Sequence, residues 1–372
     1  MTAMPPARVP FAQPGLREDA DAVRSAIERV VSSGWYILGP EVDAFERELA
    51  DVCGAQHAVG VGNGTDAIAL ILRALGIGAG DEVITTPLSA AFTALAITMV
   101  GAHPVFADID AERLTIDPAA IESAVTARTR AVVPVHLYGQ PADTAAIAAV
   151  AARHHLAVVE DCCQAHLATS GGRPVGTIGT GGALSFYPTK NLGALGDGGA
   201  VLTNDPALAA RIKSLRNGGQ RSRYRHEEVG VNSRLDELQA AVLRARLPFL
   251  RAWTERRRAL AAHYRVALAG APVRVPAELD RGHVYHLFVG LSGEEPGRDR
   301  RAALQQHLGT RGIETLVHYP VPIPHQSAFS GGRPNRCPVA EAVCRQVVSF
   351  PLHPGLNESV VAEVAAACHT FG

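Results

Sequence analysis

Apolar positions along this chain switch repeatedly between two periods. Short runs in which every residue is apolar, such as Ala131-Val132-Val133 and Ala157-Val158-Val159, alternate with stretches whose apolar residues recur every three or four positions. The first pattern predicts strands buried on both faces, the second amphipathic helices. Strands are expected over 57–61, 82–86, 104–107, 131–136, 157–160, 183–186 and 200–203. Helices are expected over 43–53, 65–75, 92–100, 118–125, 143–154 and 206–215. Asp117-Pro118 and Asp205-Pro206 set a capping carboxylate before a proline, the order that opens a helix. Such alternation requires crossover connections, so the fold class is α/β with a mainly parallel sheet covered by helices. After a helix over 234–247, Pro248 marks a boundary. Beyond it follow a helix over 250–269, scattered strands and a Pro-rich loop over 319–324. The expected organisation is a large domain with an N-terminal arm, 1–247, and a smaller C-terminal α/β domain, 248–372.

Composition narrows the class. The 372 residues carry a formal net charge of −1, which gives no electrostatic reason to expect nucleic acid or an anionic membrane as partner. The basic stretch 216–225 and the run Arg256-Arg257-Arg258 read as loop or helix surface. The N-terminus lacks the order of a signal peptide, and the longest apolar run, near 90–102, is too short to span a bilayer. Six scattered cysteines show no zinc-ligand spacing, so a cytoplasmic, thiol-reduced protein without a metal is expected.

Chemistry gathers where ligands bind in such sheets, at the carboxyl ends of strands. Four polar clusters fall there: Gly62-Asn63-Gly64-Thr65-Asp66, His136-Leu137-Tyr138-Gly139, Glu160-Asp161-Cys162-Cys163-Gln164, and Ser185 through Lys190. A glycine-bearing turn ahead of a helix suits a phosphate, although it lacks the spacing of a Walker loop or a dinucleotide fingerprint. Asp161 ends an apolar strand and is either a cap on the next helix or a counter-ion to a protonated ring nitrogen. Lys190 sits among apolar neighbours, where desolvation favours an amine nucleophile. An amine that condenses with an aldehyde, a carboxylate for a pyridine nitrogen and amides for a phosphate together fit pyridoxal 5'-phosphate.

The ordered motifs extend nearly end to end. They include Gly34-Trp35-Tyr36-Ile37-Leu38-Gly39-Pro40, Gly62 through Ala67, Gly101-Ala102-His103-Pro104, and Val135 through Asp143. Glu160 through His166, the Lys190 segment, Gly230 through Asp236 and His318-Tyr319-Pro320 complete the set. On these the chain resembles the DegT/DnrJ/StrS family of nucleotide-sugar aminotransferases, which have the aspartate aminotransferase fold (fold type I). The resemblance implies that Lys190 carries the Schiff-base link to the cofactor and shuttles the proton. Asp161 then pairs with the ring nitrogen and Gln164 touches the phenolic oxygen. Gly64, Thr65 and Ser185 hold the phosphate, and Asn232 reaches it from the partner subunit of a homodimer. Trp35, Tyr36, Leu38, Tyr187, His318, Tyr319 and His325 fall in the region that meets the sugar nucleotide, although His318 is equally readable as a satisfied loop histidine.

The family usually stacks an aromatic residue on the cofactor ring, at a place held here by Ala90. Either Phe92 supplies that face, or Phe92 is a core residue of its helix. The implied reaction passes an amine from an amino acid, glutamate by family habit, to a nucleotide-linked keto-deoxysugar, with thymidine diphosphate as the default nucleotide. The segment Tyr138 through Asp143 is closer to members acting on 3-keto than on 4-keto sugars. A keto-cyclitol aminotransferase of the same fold is the alternative. A non-catalytic regulatory protein would be expected to have lost Lys190 or Asp161.

Overall fold

Strands buried on both faces leave no room for a solvated sheet, and the chain complies by sandwiching one sheet between helices. The computed structural model describes residues 8–329 and 336–372; residues 1–7 of the expected N-terminal arm lie outside them. Seven strands share the sheet in the order His57–Val61, Gly199–Thr203, Gly181–Ser185, Ala157–Asp161, Thr129–Val133, Glu82–Thr85 and His103–Phe106. Gly199–Thr203 runs antiparallel to both its neighbours, and the remaining pairs are parallel. That single reversal returns the chain beside Gly181–Ser185, so the Lys190 loop is held between two paired strands.

The main-sheet strands and the helices expected beside them are present near their predicted places, and the deviations have local causes. The strand Thr129–Val133 stops before Pro134, which has no N–H for the ladder. The helix Pro40–Cys53 starts ahead of the predicted 43–53 because Glu237 caps it from another helix, accepting the amides of Gly39, Glu41 and Val42 at 2.8–2.9 Å. Ile68, Ile71 and Leu72 of the helix Gly64–Ala74 pack with Val59, Val133, Ala183 and Val201 on one face of the sheet. Phe45, Leu49, Phe186 and Leu243 fill another cluster, which includes the strand residues Leu184 and Leu202.

The C-terminal part forms its own core around Tyr264, Phe288, Phe350 and Val364. Its paired strands Phe288–Leu291 and Val347–Phe350 are flanked by the helices Leu250–Ala267, Arg300–Gly309, Pro338–Gln346 and Glu358–His369. We propose the turn Leu247–Phe249 as the junction of the two domains. By packing, the N-terminal arm sides with the C-terminal core. Val9 is buried there, donates to Gly312 O at 2.9 Å and accepts from Glu314 N at 3.0 Å. The basic runs are not uniformly surface: Arg216 and Arg257 are buried, and Arg216 pairs with Glu46.

The edge that carries the site is anchored from beneath by Glu160. Its carboxylate accepts from Gly176, Ile178 and Gly179 amides at 2.8–2.9 Å and meets His136 Nε2 at 3.1 Å. Because His136 Nδ1 accepts the Ala142 amide at 3.0 Å, Nε2 is the nitrogen that donates. Cys162 lies close enough to complete a possible metal trio with these two, but the ring and carboxylate already spend their lone pairs and protons on protein partners. Burial raises the Glu160 pKa, yet His136 and the amides outweigh it and hold it below the ordinary value. A depressed carboxylate stabilises the fold above its unfolded pKa and ceases to do so as pH falls through its folded value. Glu160→Gln is therefore expected to lower stability at neutral pH by about 2 kcal/mol and to flatten the acid limb of the stability curve. Chemical denaturation between neutral and acid pH checks both.

Candidate active site

Parallel strands turn their carboxyl ends to one edge, and four loops leave that edge together. After His57–Val61, Asn63 caps the helix Gly64–Ala74 by accepting the Asp66 amide at 2.8 Å. Gly64 and Thr65 thus occupy the first turn, where amides have no partner within the helix and the dipole favours an anion. A side chain at 64 is excluded: its Cβ would stand 2.6 Å from Cys163 Sγ and 2.9 Å from Ser185 Cβ. The turn is braced by Ser233, whose hydroxyl accepts the Gly62 amide at 3.0 Å and donates to Asp66 at 2.6 Å. Asn232, next to Ser233, is exposed and pairs through its backbone with Asn217.

At the end of Ala157–Asp161, Asp161 is buried. Its Oδ2 accepts the Thr93 hydroxyl at 2.6 Å and its Oδ1 accepts the Cys163 amide at 3.1 Å. Each oxygen keeps a lone pair for a further donor. No helix follows Asp161, since the next element is the short strand Thr169–Ser170, so it is not a helix cap. Burial lowers the Lys190 ammonium from its ordinary value, while Cys163 and Asp161 draw it partly back up. Electrostatics therefore couple the amine to the carboxylate across the loop. Burial, then the charge of Asp161, drives the Cys163 thiol well up, so it stays protonated beside them.

Gln164 is fixed from both ends: Oε1 accepts the Tyr138 amide at 2.8 Å and Nε2 donates to Tyr319 Oη at 3.0 Å. One amide hydrogen remains for another acceptor. Burial pushes the Tyr319 phenol up to about 12, so it remains protonated at neutral pH. His318 stacks on Phe11 at 5.7 Å and meets Ser349 Oγ at 2.8 Å; burial and Lys190 hold its pKa near about 4. Both ring nitrogens of buried His166 lack a partner, and burial followed by Lys190 lowers that ring to about 3.

The structure brings Lys190, Asp161, Gln164, Ser185, Gly64, Thr65, His318 and Tyr319 into one neighbourhood. The Tyr187 side chain is exposed, and its carbonyl accepts the Lys190 amide at 2.8 Å. Trp35 and Tyr36 are exposed and Leu38 is partly covered with φ of 50°. Among the described residues, no hydrogen bond or ring contact joins their side chains to the Lys190 cluster. His325 lies on a short turn, 3.4 Å from Glu341. The reading of Phe92 as core is corrected: it is 61% exposed, at the start of its helix. Reading by motif gave no role to Thr93, a helix residue whose partner Asp161 lies on a strand.

These residues suit pyridoxal phosphate in shape as well as type, with an amide turn closed to side chains, a buried carboxylate with spare acceptor capacity and an amine of lowered basicity. The family model described as "DegT/DnrJ/EryC1/StrS aminotransferase family" matches residues 17–369. The chain belongs to that family. It is 49% identical over 359 residues to the dTDP-3-amino-3,4,6-trideoxy-alpha-D-glucose transaminase of Streptomyces venezuelae, covering 94% of this chain and 92% of the relative. It superimposes on S. venezuelae DesV in complex with a ketimine intermediate, with a TM-score of 0.93, 47% identity and 98% of each chain covered. NtdA from Bacillus subtilis with bound cofactor PMP matches with a TM-score of 0.90 and 29% identity, over 99% of this chain and 87% of that one. The protein is a pyridoxal-phosphate-dependent aminotransferase of fold type I. Thr93→Val, which removes the donor to Asp161 at nearly constant volume, is expected to weaken cofactor retention and lower turnover about tenfold. Equilibrium dialysis of the cofactor and steady-state rates measure the two effects.

Proposed function

We propose that this aminotransferase moves an amino group from an amino acid, glutamate first among them, to the 3-keto carbon of a dTDP-linked deoxysugar. The observation that carries the reading is the low-basicity Lys190 amine, electrostatically coupled to the buried Asp161, on the sheet edge that also bears a turn fit for a phosphate. The S. venezuelae relative, whose named product is a dTDP sugar aminated at carbon 3, supports the acceptor.

When bound, the cofactor supplies an aldehyde for the donor amine and a ring that takes up the electron pair freed at the substrate carbon. The remaining work belongs to the chain. Gly64 and Thr65 present amides, and Ser185 a hydroxyl, to the phosphate. Asp161 holds a proton on the ring nitrogen, steadied by Thr93. The free hydrogen of Gln164 and the neighbouring Tyr319 hydroxyl orient the phenolic oxygen. Lys190, with its basicity lowered by burial, accepts and returns the proton that moves between substrate carbon and cofactor.

A homodimer with shared sites belongs to the same proposal. Trp35, Tyr36, Phe92, Met99 and Tyr187 expose between 47% and 61% of their surface, large apolar side chains that a partner subunit would cover. Asn232 is exposed on a loop braced against the phosphate turn. We keep the cytoplasm as the compartment on the strength of six free cysteines; no helix of the described residues is long and apolar enough to cross a membrane.

Lys190→Ala should lose at least about a hundredfold in turnover, the usual contribution of a positioned proton-transfer group. Glutamate should bleach the visible band of the wild-type protein, and a dTDP-3-keto-deoxysugar should restore it. Restoration by keto-cyclitols alone would sink the proposed acceptor. Co-expressing Lys190→Ala with Asn232→Ala should rebuild one intact site per mixed dimer and recover activity that neither variant has alone. No recovery would mean that each chain builds its site unaided.

A further inference from the structure

Lys190 and His318 also border a cavity of about 310 Å³, lying between the N-terminal arm, the helix Leu250–Ala267 and the segment around His353. That volume is at the lower end of small-molecule sites. Its charges do not balance. Asp19 is taken by Arg246 at 2.7 Å, which leaves Glu314, bonded to the Phe11 amide at 2.8 Å, as one lining carboxylate against two arginines. Arg17 and Arg257 also line the cavity, and neither has a carboxylate within ion-pairing distance among the described residues.

Arg257 is the more telling of the two. It is buried, its Nη1 donates to the carbonyls of Tyr285, His286 and Leu352 at 3.0–3.3 Å, and its Nε has no partner. A guanidinium stripped of water and left without an anion is expensive to keep unless something charged arrives. Burial, then Arg17, lowers it only to about 10, so it stays cationic at neutral pH.

His353 adds a second orphan. Arg17 Nη2 donates to its Nδ1 at 3.1 Å, which makes Nδ1 the acceptor and leaves Nε2–H as a buried donor without a partner. Burial, then Arg17 and Arg257, hold the ring near about 4, so it remains neutral. The Arg17 guanidinium lies directly over Gly355, where a Cβ would make that flexible side chain move aside. Two cations that meet no carboxylate of the described residues border one cavity beside the reactive amine, and behind them Arg257 Nε and His353 Nε2 are sealed without partners.

We propose that this cavity receives a carboxylate of the amine donor, bound by Arg17 and Arg257. The proposal rests on the aminotransferase reading and adds to it the place where the donor is recognised. A planar carboxylate matches the fork of an arginine and pairs a charge that no carboxylate of the described residues meets.

The test separates the two halves of the reaction in the cofactor-loaded enzyme. In Arg17→Gln and Arg257→Met, the glutamate concentration that half-saturates bleaching of the visible band should rise at least about tenfold, with the limiting rate little changed. The acceptor half-reaction should keep its wild-type KM. A second readout needs no turnover. Trp253 borders the cavity, so in a Trp35→Phe background glutarate should change its fluorescence, and either arginine substitution should weaken that binding by a similar factor.

Arg257→Met removes bonds to three carbonyls and can cost the fold. Arg17→Gln, on a partly exposed arm residue, carries the test if it does. Unaltered glutamate saturation and glutarate binding in Arg17→Gln would overturn the proposal while leaving transamination standing. So would a rise in the acceptor KM alone, which would assign the pocket to the sugar nucleotide's anion. A wild-type enzyme that no amino acid bleaches would instead overturn the transamination reading, and glutarate binding would still decide the pocket.

Discussion

A carboxylate and an amine must share a poorly hydrated edge of the sheet without collapsing into an ordinary ion pair, and the rest of the architecture serves that requirement. Asp161 achieves it by taking two donors of its own, Thr93 Oγ1 and the Cys163 amide, so it does not depend on Lys190 for partners. Lys190 is held across a loop clamped between the antiparallel strands Gly181–Ser185 and Gly199–Thr203. Burial on both sides keeps the two charges coupled in a poorly hydrated place. The two-residue period of a strand then divides labour within one dipeptide. Asp161 turns to the chemistry, and Glu160 turns the other way to gather three amides and His136.

Much of this was legible because the informative residues sit at strand ends, where sequence pattern and position coincide. Ala157-Val158-Val159 announces a buried strand, so the carboxylate that ends it has to have a purpose. Lys190 stands out for the same reason, as a lone cation after an apolar strand. What stayed hidden depends on contacts between distant parts of the chain. Thr93 looks like any helical threonine until the sheet sets its hydroxyl against Asp161. Arg257 sits in a run of three arginines on a helix and reads as solvated surface. Only packing against Tyr285 and Leu352 shows that the middle member faces inward while Arg258 remains partly exposed. The cap that Glu237 places on the helix Pro40–Cys53 is likewise invisible from the helix's own residues.

Phe92 teaches a related point. One reading made Phe92 a core residue of its helix, yet Phe92, Leu95 and Met99, spaced three and four apart, leave one stripe in water. Periodicity identifies which residues share a face. It does not say whether that face meets the chain's own core or another molecule.

The strand-like pairing of Val9 with Ile313 has a mechanical corollary. Because the arm is stitched to the C-terminal core at Val9 and again through Phe11 and Glu314, one wall of the cavity travels with that core, while the wall bearing Lys190 belongs to the sheet. Arg17 bridges the two walls: its side chain meets His353 of the C-terminal part, while its amide is bonded to Asp19, which Arg246 ties to the Lys190 side. The opening beside the reactive amine is therefore geared to the first turns of the polypeptide, far from it in chain order.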